Sequence, residues 1–225
     1  MKAKPAYIAL EGPDGVGKSS TADALSAYLF AARPDVNVVI RHFPTRSLVD
    51  CAQKDNLRLT AEDYLCDMEN WLSSRPSPVL YPSVPAPTPV RDATTVYILD
   101  RWVLSTAVYA CIRNETIPPR LDPTLEWLSQ IPITTFVLMP KGDQAALLSD
   151  PDYPDPAGYD PVKVTDVYRQ FMRGVLLQGI LDVYAPIVVD RTVDTPQKTA
   201  FTIAQWLGAD SNETTTREKV GHGDD

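Results

Sequence analysis

The chain has 225 residues, 44% apolar and 22% charged, with a net charge of −8, which suits one globular unit able to bury a sheet-and-helix core. An acidic surplus without any run of Lys or Arg argues against a nucleic-acid polymer as partner, and no apolar run reaches the roughly 18 residues of a membrane span. Cys51, Cys66 and Cys111 are scattered and form no CxxC pair, so they predict buried free thiols rather than disulfides or zinc. With no signal-like start, the expectation is a soluble, cytoplasmic protein.

Residues 7–10 are a short apolar run ending in Glu11-Gly12, a buried strand running into a turn. Ala22, Leu25, Ala27, Tyr28 and Leu29 predict a helix over 18–32, and 36–43 is the next strand candidate. Thr60 followed by Asp63 caps a predicted helix over 60–72, in which Tyr64, Leu65, Met68, Trp71 and Leu72 recur at helical spacing. The stretch 75–91 is crowded with proline, which removes backbone donors, and it reads as a surface loop.

A β-branched strand over 94–99 closes on Asp100-Arg101, followed by a helix through Ser105, Val108 and Ala110 and a strand over 131–139. Residues 150–161, rich in Pro, Asp and Gly, read as loop, and 166–184 as a long helix with Val167, Phe171, Val175 and Leu176 on one side. A last strand over 186–190 and a last helix over 195–207 complete the pattern. Residues 209–225 are polar and charged, and the expectation is an unfolded tail. Five apolar strands separated by helices predict a single α/β domain over 1–208, with a mostly parallel five-stranded sheet flanked by helices on both faces.

Gly12-Pro13-Asp14-Gly15-Val16-Gly17-Lys18-Ser19 fits G-x-x-x-x-G-K-[ST] and lies between a predicted strand and a predicted helix, as a P-loop requires. Its glycines let backbone N–H groups wrap around phosphate oxygens, and the helix adds its positive end. Lys18 then reaches the β/γ-phosphates of ATP and the Ser19 hydroxyl ligates Mg²⁺. No Asn-Lys-x-Asp guanine-reading sequence accompanies the loop, so a small-molecule kinase fits better than a GTPase. Asp100, at a strand's carboxyl end, can hold Mg²⁺ or take a proton, and Arg101 can clamp a phosphate. The alternative is an Asp-Arg pair that only caps the next helix.

Asp100-Arg101-Trp102-Val103-Leu104-Ser105-Thr106-Ala107-Val108-Tyr109 resembles the D-R-[YH]-x-x-S-x-x-A-Y signature of thymidylate kinases, with Trp at the aromatic position and Val108 for alanine. Glu11-Gly12-x-Asp14 and Phe43-Pro44-Thr45-Arg46 are similar to that family's P-loop and Phe-Pro-x-Arg. The resemblance implies a P-loop kinase fold, ATP as donor, a deoxythymidine-type acceptor, Mg²⁺ and a homodimer. It implies that Gly12, Asp14, Gly15, Val16, Gly17, Lys18, Ser19, Ser20 and Arg191 contact ATP, and that Ser19 and Asp100 hold the metal. It also implies that Lys18, Asp100 and Arg101 serve catalysis. Asp14, Phe43, Pro44, Arg46, Arg101, Ser105, Tyr109 and Tyr159 would bind the acceptor.

Two departures stand out. The P-loop and the lid stretch 142–161 contain no arginine, although the family draws a catalytic arginine from one or the other; Lys141, Lys163 and Arg169 flank the lid as substitutes. Asn70 and Cys66 stand near positions where the family has an arginine and a phenylalanine beside the base. Three readings are therefore carried forward: a kinase converting dTMP to dTDP, a thymidine or broader deoxynucleoside kinase, and a nucleotide-binding module without catalysis.

Overall fold

A computed structural model describes residues 4–74, 90–114, 132–140, 159–173, 186–190 and 195–209. These form a five-stranded, all-parallel sheet in the order β2-β3-β1-β4-β5. The strands are β1 (Lys4–Glu11), β2 (Asn37–His42), β3 (Ala93–Asp100), β4 (Ile133–Met139) and β5 (Ile187–Asp190). The helices are α1 (Lys18–Ala32), α2 (Arg46–Lys54), α3 (Ala61–Ser73), α4 (Val103–Ile112), α5 (Pro161–Met172) and α6 (Pro196–Trp206).

β1 is central, and both its faces are buried, as parallel sheets require. Ala6, Ile8 and Leu10 point into a core with Leu25 and Leu29 of α1 and Ile203 of α6. Tyr7 and Ala9 point the other way, towards Leu65, Met68 and Trp71 of α3. Because β1 lies between β3 and β4, connections leave it in opposite directions, and a crevice opens at the carboxyl ends of these strands. The register sets Leu10 beside Asp100, and Asp100 beside His42.

Most expected elements are present within a few residues, and Thr60 and Asp63 form the anticipated reciprocal cap of α3. Several expectations need correction. α2 was not anticipated; Thr45 starts it by accepting from the Leu48 N–H at 3.4 Å. α5 begins at Pro161, not at 166, because Asp160 caps it through the Val162 N–H at 2.9 Å and Pro161 suits the first turn. The end of the 75–91 stretch is not loop, since Val90–Asp92 form a 3-10 turn leading into β3.

Ala209 belongs to the folded unit: Gly208, at φ 65°, ends α6, and the Ala209 N–H donates to Ala204 at 3.0 Å. The three cysteines form no disulfide but are not buried, because Cys51 and Cys111 lie on exposed helix faces and Cys66 is half-buried. The bulk of the Pro-rich stretch, residues 142–158 of the lid, the second half of the expected 166–184 helix and 210–225 lie outside the described residues. No helix of the described residues is long and apolar enough to cross a membrane.

Candidate functional site

The end of β1 forms the first wall of the crevice. Gly12 takes φ 137°, and a Cβ there would collide with the Leu138 carbonyl oxygen of β4, so only glycine lets the loop leave the sheet this way. Val16 is buried and pins the loop to the core, while Gly15 and Gly17 take φ 77° and 88°. Gly17 caps α1 without a side chain, which leaves the first-turn N–H groups, including those near exposed Ser19 and Ser20, for an anion.

Lys18 is only 5% exposed; its ammonium donates to the Gly12 carbonyl at 2.9 Å and the Pro13 carbonyl at 2.8 Å. It stands 3.6 Å from the Asp14 carboxylate. Burial, with Arg101 nearby, pulls its pKa down to about 8.

The end of β3 supplies the second wall. Asp100 is buried; its Oδ2 accepts from the Ser19 hydroxyl at 2.5 Å and lies 2.8 Å from His42 Nδ1. Its Oδ1 is buried and has no hydrogen-bond partner among the described residues. A buried, unsatisfied carboxylate oxygen beside a P-loop hydroxyl fits a hard cation such as Mg²⁺, which takes few protein oxygens and fills its shell with water and phosphate. Among the described residues no group of three or more His, Cys, Asp or Glu forms a metal cage, so such a cation would need a ligand's oxygens too.

Arg101 follows at φ 74°, its N–H bonded to the Leu10 carbonyl at 3.0 Å. Its guanidinium bonds the Asp14 carboxylate and lies 5.3 Å from the Tyr109 ring centroid. The Tyr109 phenol donates to Asp14 Oδ2 at 2.7 Å. Burial opposes the Arg101 charge, yet Asp14 beside it raises its pKa above the ordinary value. Burial likewise works against ionised Asp14, but Arg101 and then Lys18 outweigh it and hold the carboxyl low. Burial and Asp14 push the Tyr109 phenol up, so it stays a donor.

Beneath these walls, Glu11 is fully buried and its pKa is raised by burial. It accepts from the Leu104 N–H at 3.0 Å and the Ser105 N–H at 3.1 Å, capping α4, whose own N-cap Trp102 offers no side-chain bond. The Ser105 hydroxyl also bonds Glu11 and lies 2.8 Å from the Tyr168 phenol. Ser105, expected in the acceptor pocket, is thus engaged by the scaffold. Phe43 is also buried, 5.6 Å from Trp71 and 5.7 Å from Trp102 between ring centroids, and backs the site from the core.

Pro44 is half-buried after a cis peptide, and Arg46 is exposed in the first turn of α2. Asp67 steadies that corner by accepting from the Thr45 N–H at 2.6 Å and its hydroxyl at 3.2 Å. Tyr159 is half-buried, its ring 5.7 Å from that of Tyr109, and its phenol accepts from Arg58 at 2.6 Å. Of the substitute cations, Lys163 is exposed and Arg169 pairs with Asp166 at 2.9 Å. Arg191 and Lys141 lie outside the described residues.

Sequence reasoning passed over Glu11, His42 and Arg58 as site residues. Glu11 carried a signal, a carboxylate ending an otherwise apolar buried strand. His42 and Arg58 carried none, since only the tertiary fold brings them to Asp100 and Tyr159.

No protein-family model and no curated protein matches the sequence. Solved structures do. A thymidylate kinase from Candida albicans, described as having broad substrate specificity, superimposes at TM-score 0.59 and 16% identity, over 92% of this chain and 93% of its own. A thymidylate kinase from Ehrlichia chaffeensis superimposes at TM-score 0.57 and 16% identity, over 91% of this chain and 99% of its own. The chain therefore has the P-loop fold seen in thymidylate kinases.

Proposed function

We propose that the chain transfers the γ-phosphoryl group of ATP to dTMP, giving dTDP. The observation that carries this reading is the meeting, at the ends of β1 and β3, of the Lys18 cradle with the Asp14–Arg101–Tyr109 cluster. One half suits a triphosphate and the other a phosphorylated, hydroxyl-bearing acceptor. Lys18, held by two loop carbonyls in the free protein, exchanges them for β/γ-oxygens and balances charge as it moves to the leaving phosphate. Ser19 and Asp100 would hold Mg²⁺, which supplies charge neutralisation across the triphosphate.

Arg101, kept charged by Asp14, grips the acceptor phosphate with Arg46, and Asp14 takes the sugar hydroxyl. A dTMP phosphate oxygen is already anionic and attacks without a general base, whereas thymidine must lose its hydroxyl proton. Two charge-assisted arginine contacts, each about 1.5–3 kcal/mol, imply a preference for dTMP over thymidine of about a hundredfold or more in kcat/KM. Steady-state kinetics on both acceptors test this. Arg46→Ala should lower kcat/KM for dTMP and spare any thymidine activity. Equal use of both acceptors, lowered alike by Arg46→Ala, would move the reading to a deoxynucleoside kinase.

A further inference from the structure

Arg58 lies in the link between α2 and α3, and its Nη2 donates to the Tyr159 phenol at 2.6 Å across a sequence separation of 101 residues. Both ends of this bridge are anchored. Two residues after Arg58, Thr60 begins α3 with a reciprocal cap: its N–H donates to Asp63 at 2.8 Å, and the Asp63 N–H donates to its hydroxyl at 3.4 Å. One residue after Tyr159, Asp160 caps α5 through the Val162 N–H at 2.9 Å, and Pro161 fixes the first turn. A contact between two capped helix starts is set by the fold rather than by loose side chains.

The bridge continues into the site. The Tyr159 ring meets Tyr109 at 5.7 Å and 54° between planes, a tilted arrangement that aromatic pairs favour. Tyr109 in turn donates to Asp14 at 2.7 Å. Tyr159 also packs on the apolar cluster around Tyr109, so the ring is seated by packing and the Arg58 bond fixes the phenol end of the side chain.

We infer that Arg58 is a positioning residue for the acceptor: it holds Tyr159 by its phenol so that the Tyr159 ring closes the side of the pocket that Tyr109 and Asp14 form. This deepens the kinase reading and rests on it. Arg58 acts through Tyr159 and not on the donor, so its loss falls on acceptor binding.

The test is steady-state kinetics with ATP, Mg²⁺ and dTMP on the full chain and on Arg58→Ala, Arg58→Lys, Tyr159→Phe and the Arg58→Ala/Tyr159→Phe double variant. Arg58→Ala and Tyr159→Phe should each raise the dTMP KM about tenfold and leave the ATP KM within about twofold, as loss of one charge-assisted bond implies. The double variant should be no worse than either single one, because both remove the same bond, and Arg58→Lys should restore part of the loss. A dTMP KM unchanged in the variants, with or without a lower melting temperature, overturns the inference while leaving the kinase reading intact. A loss in Arg58→Ala that Tyr159→Phe does not share also overturns it, since Arg58 would then act on its own. Failure of the unaltered protein to phosphorylate dTMP overturns the kinase reading and this inference together.

Discussion

Lys18 is the residue whose burial should cost the fold stability that denaturation can read. It is 5% exposed and its pKa sits at about 8, lowered chiefly by burial. The unfolded chain keeps that proton up to the ordinary value of 10.5. Between the two values the unfolded state binds more protons than the folded one, so stability rises with pH across this window. Below pH 8 the full cost of a buried ammonium is present. Lys18→Met keeps the length and removes the charge, so the variant should gain stability relative to the unaltered protein at neutral pH. That advantage should shrink as pH rises from about 8 towards 10.5, as urea denaturation at several pH values would reveal. The same variant should lose phosphoryl transfer by about a hundredfold or more, because Lys18 is the P-loop's single basic side chain. A flat stability difference across that window would mean that Lys18 is not held in a desolvated state.

The helices divide by where their caps come from. α3 is capped by its own sequence, Thr60 and Asp63, on an exposed corner, so Thr60→Ala should cost about 1 kcal/mol. α4 is capped from another element, by Glu11 at the end of β1, in the core. Glu11→Ala would orphan the Leu104 and Ser105 N–H groups where water does not reach, and should cost about 3 kcal/mol or more in chemical denaturation. If the two variants lost equal stability, Glu11 would not be the cap of α4. The same division governs what the sequence discloses. The central strands are legible because a parallel strand buried on both faces needs an unbroken apolar run, as in Tyr7-Ile8-Ala9-Leu10. α3 is legible because its cap and its stripe are local. α2 is not, since Arg46–Lys54 has nine mixed residues with only Ala52 buried, and a stripe that narrow does not register. The start of α5 hides in Tyr159-Asp160-Pro161, where Asp and Pro read equally as loop. The P-loop and Asp100-Arg101 are legible because their chemistry fixes spacing. Arg58 with Tyr159, His42 with Asp100 and Glu11 as a remote cap are not, because each partner is chosen by packing between distant segments.

At the scale of the molecule, a chain of net charge −8 places Lys18, Arg46 and Arg101 beyond the carboxyl ends of β1, β2 and β3. Asp14 and Asp100 stand among these cations, so attraction for a polyanion there rests on the N–H donors of Lys18, Arg46 and Arg101 and on the P-loop backbone rather than on a net positive field. If donor and acceptor bind on either side of the β1–β3 crevice, one molecule that spans both halves should bind far better than the two separately, because the second half meets an effective concentration near millimolar. A bisubstrate analogue joining adenosine to thymidine through an oligophosphate, with Mg²⁺, makes this measurable as thermal stabilisation. At a hundredfold excess over its dissociation constant, binding to the folded state alone adds about 2.7 kcal/mol, a rise of roughly 5–10 °C in a domain of this size. The analogue should reach that shift at a concentration about tenfold or more below that of ATP and dTMP mixed. Shortening the oligophosphate until adenosine and thymidine can no longer occupy both halves at once should abolish the advantage while leaving simple adenine-nucleotide binding. An analogue that stabilises no better than ATP alone would place the acceptor away from the Asp14–Arg101–Tyr109 cluster, and that cluster would then serve only to brace the P-loop.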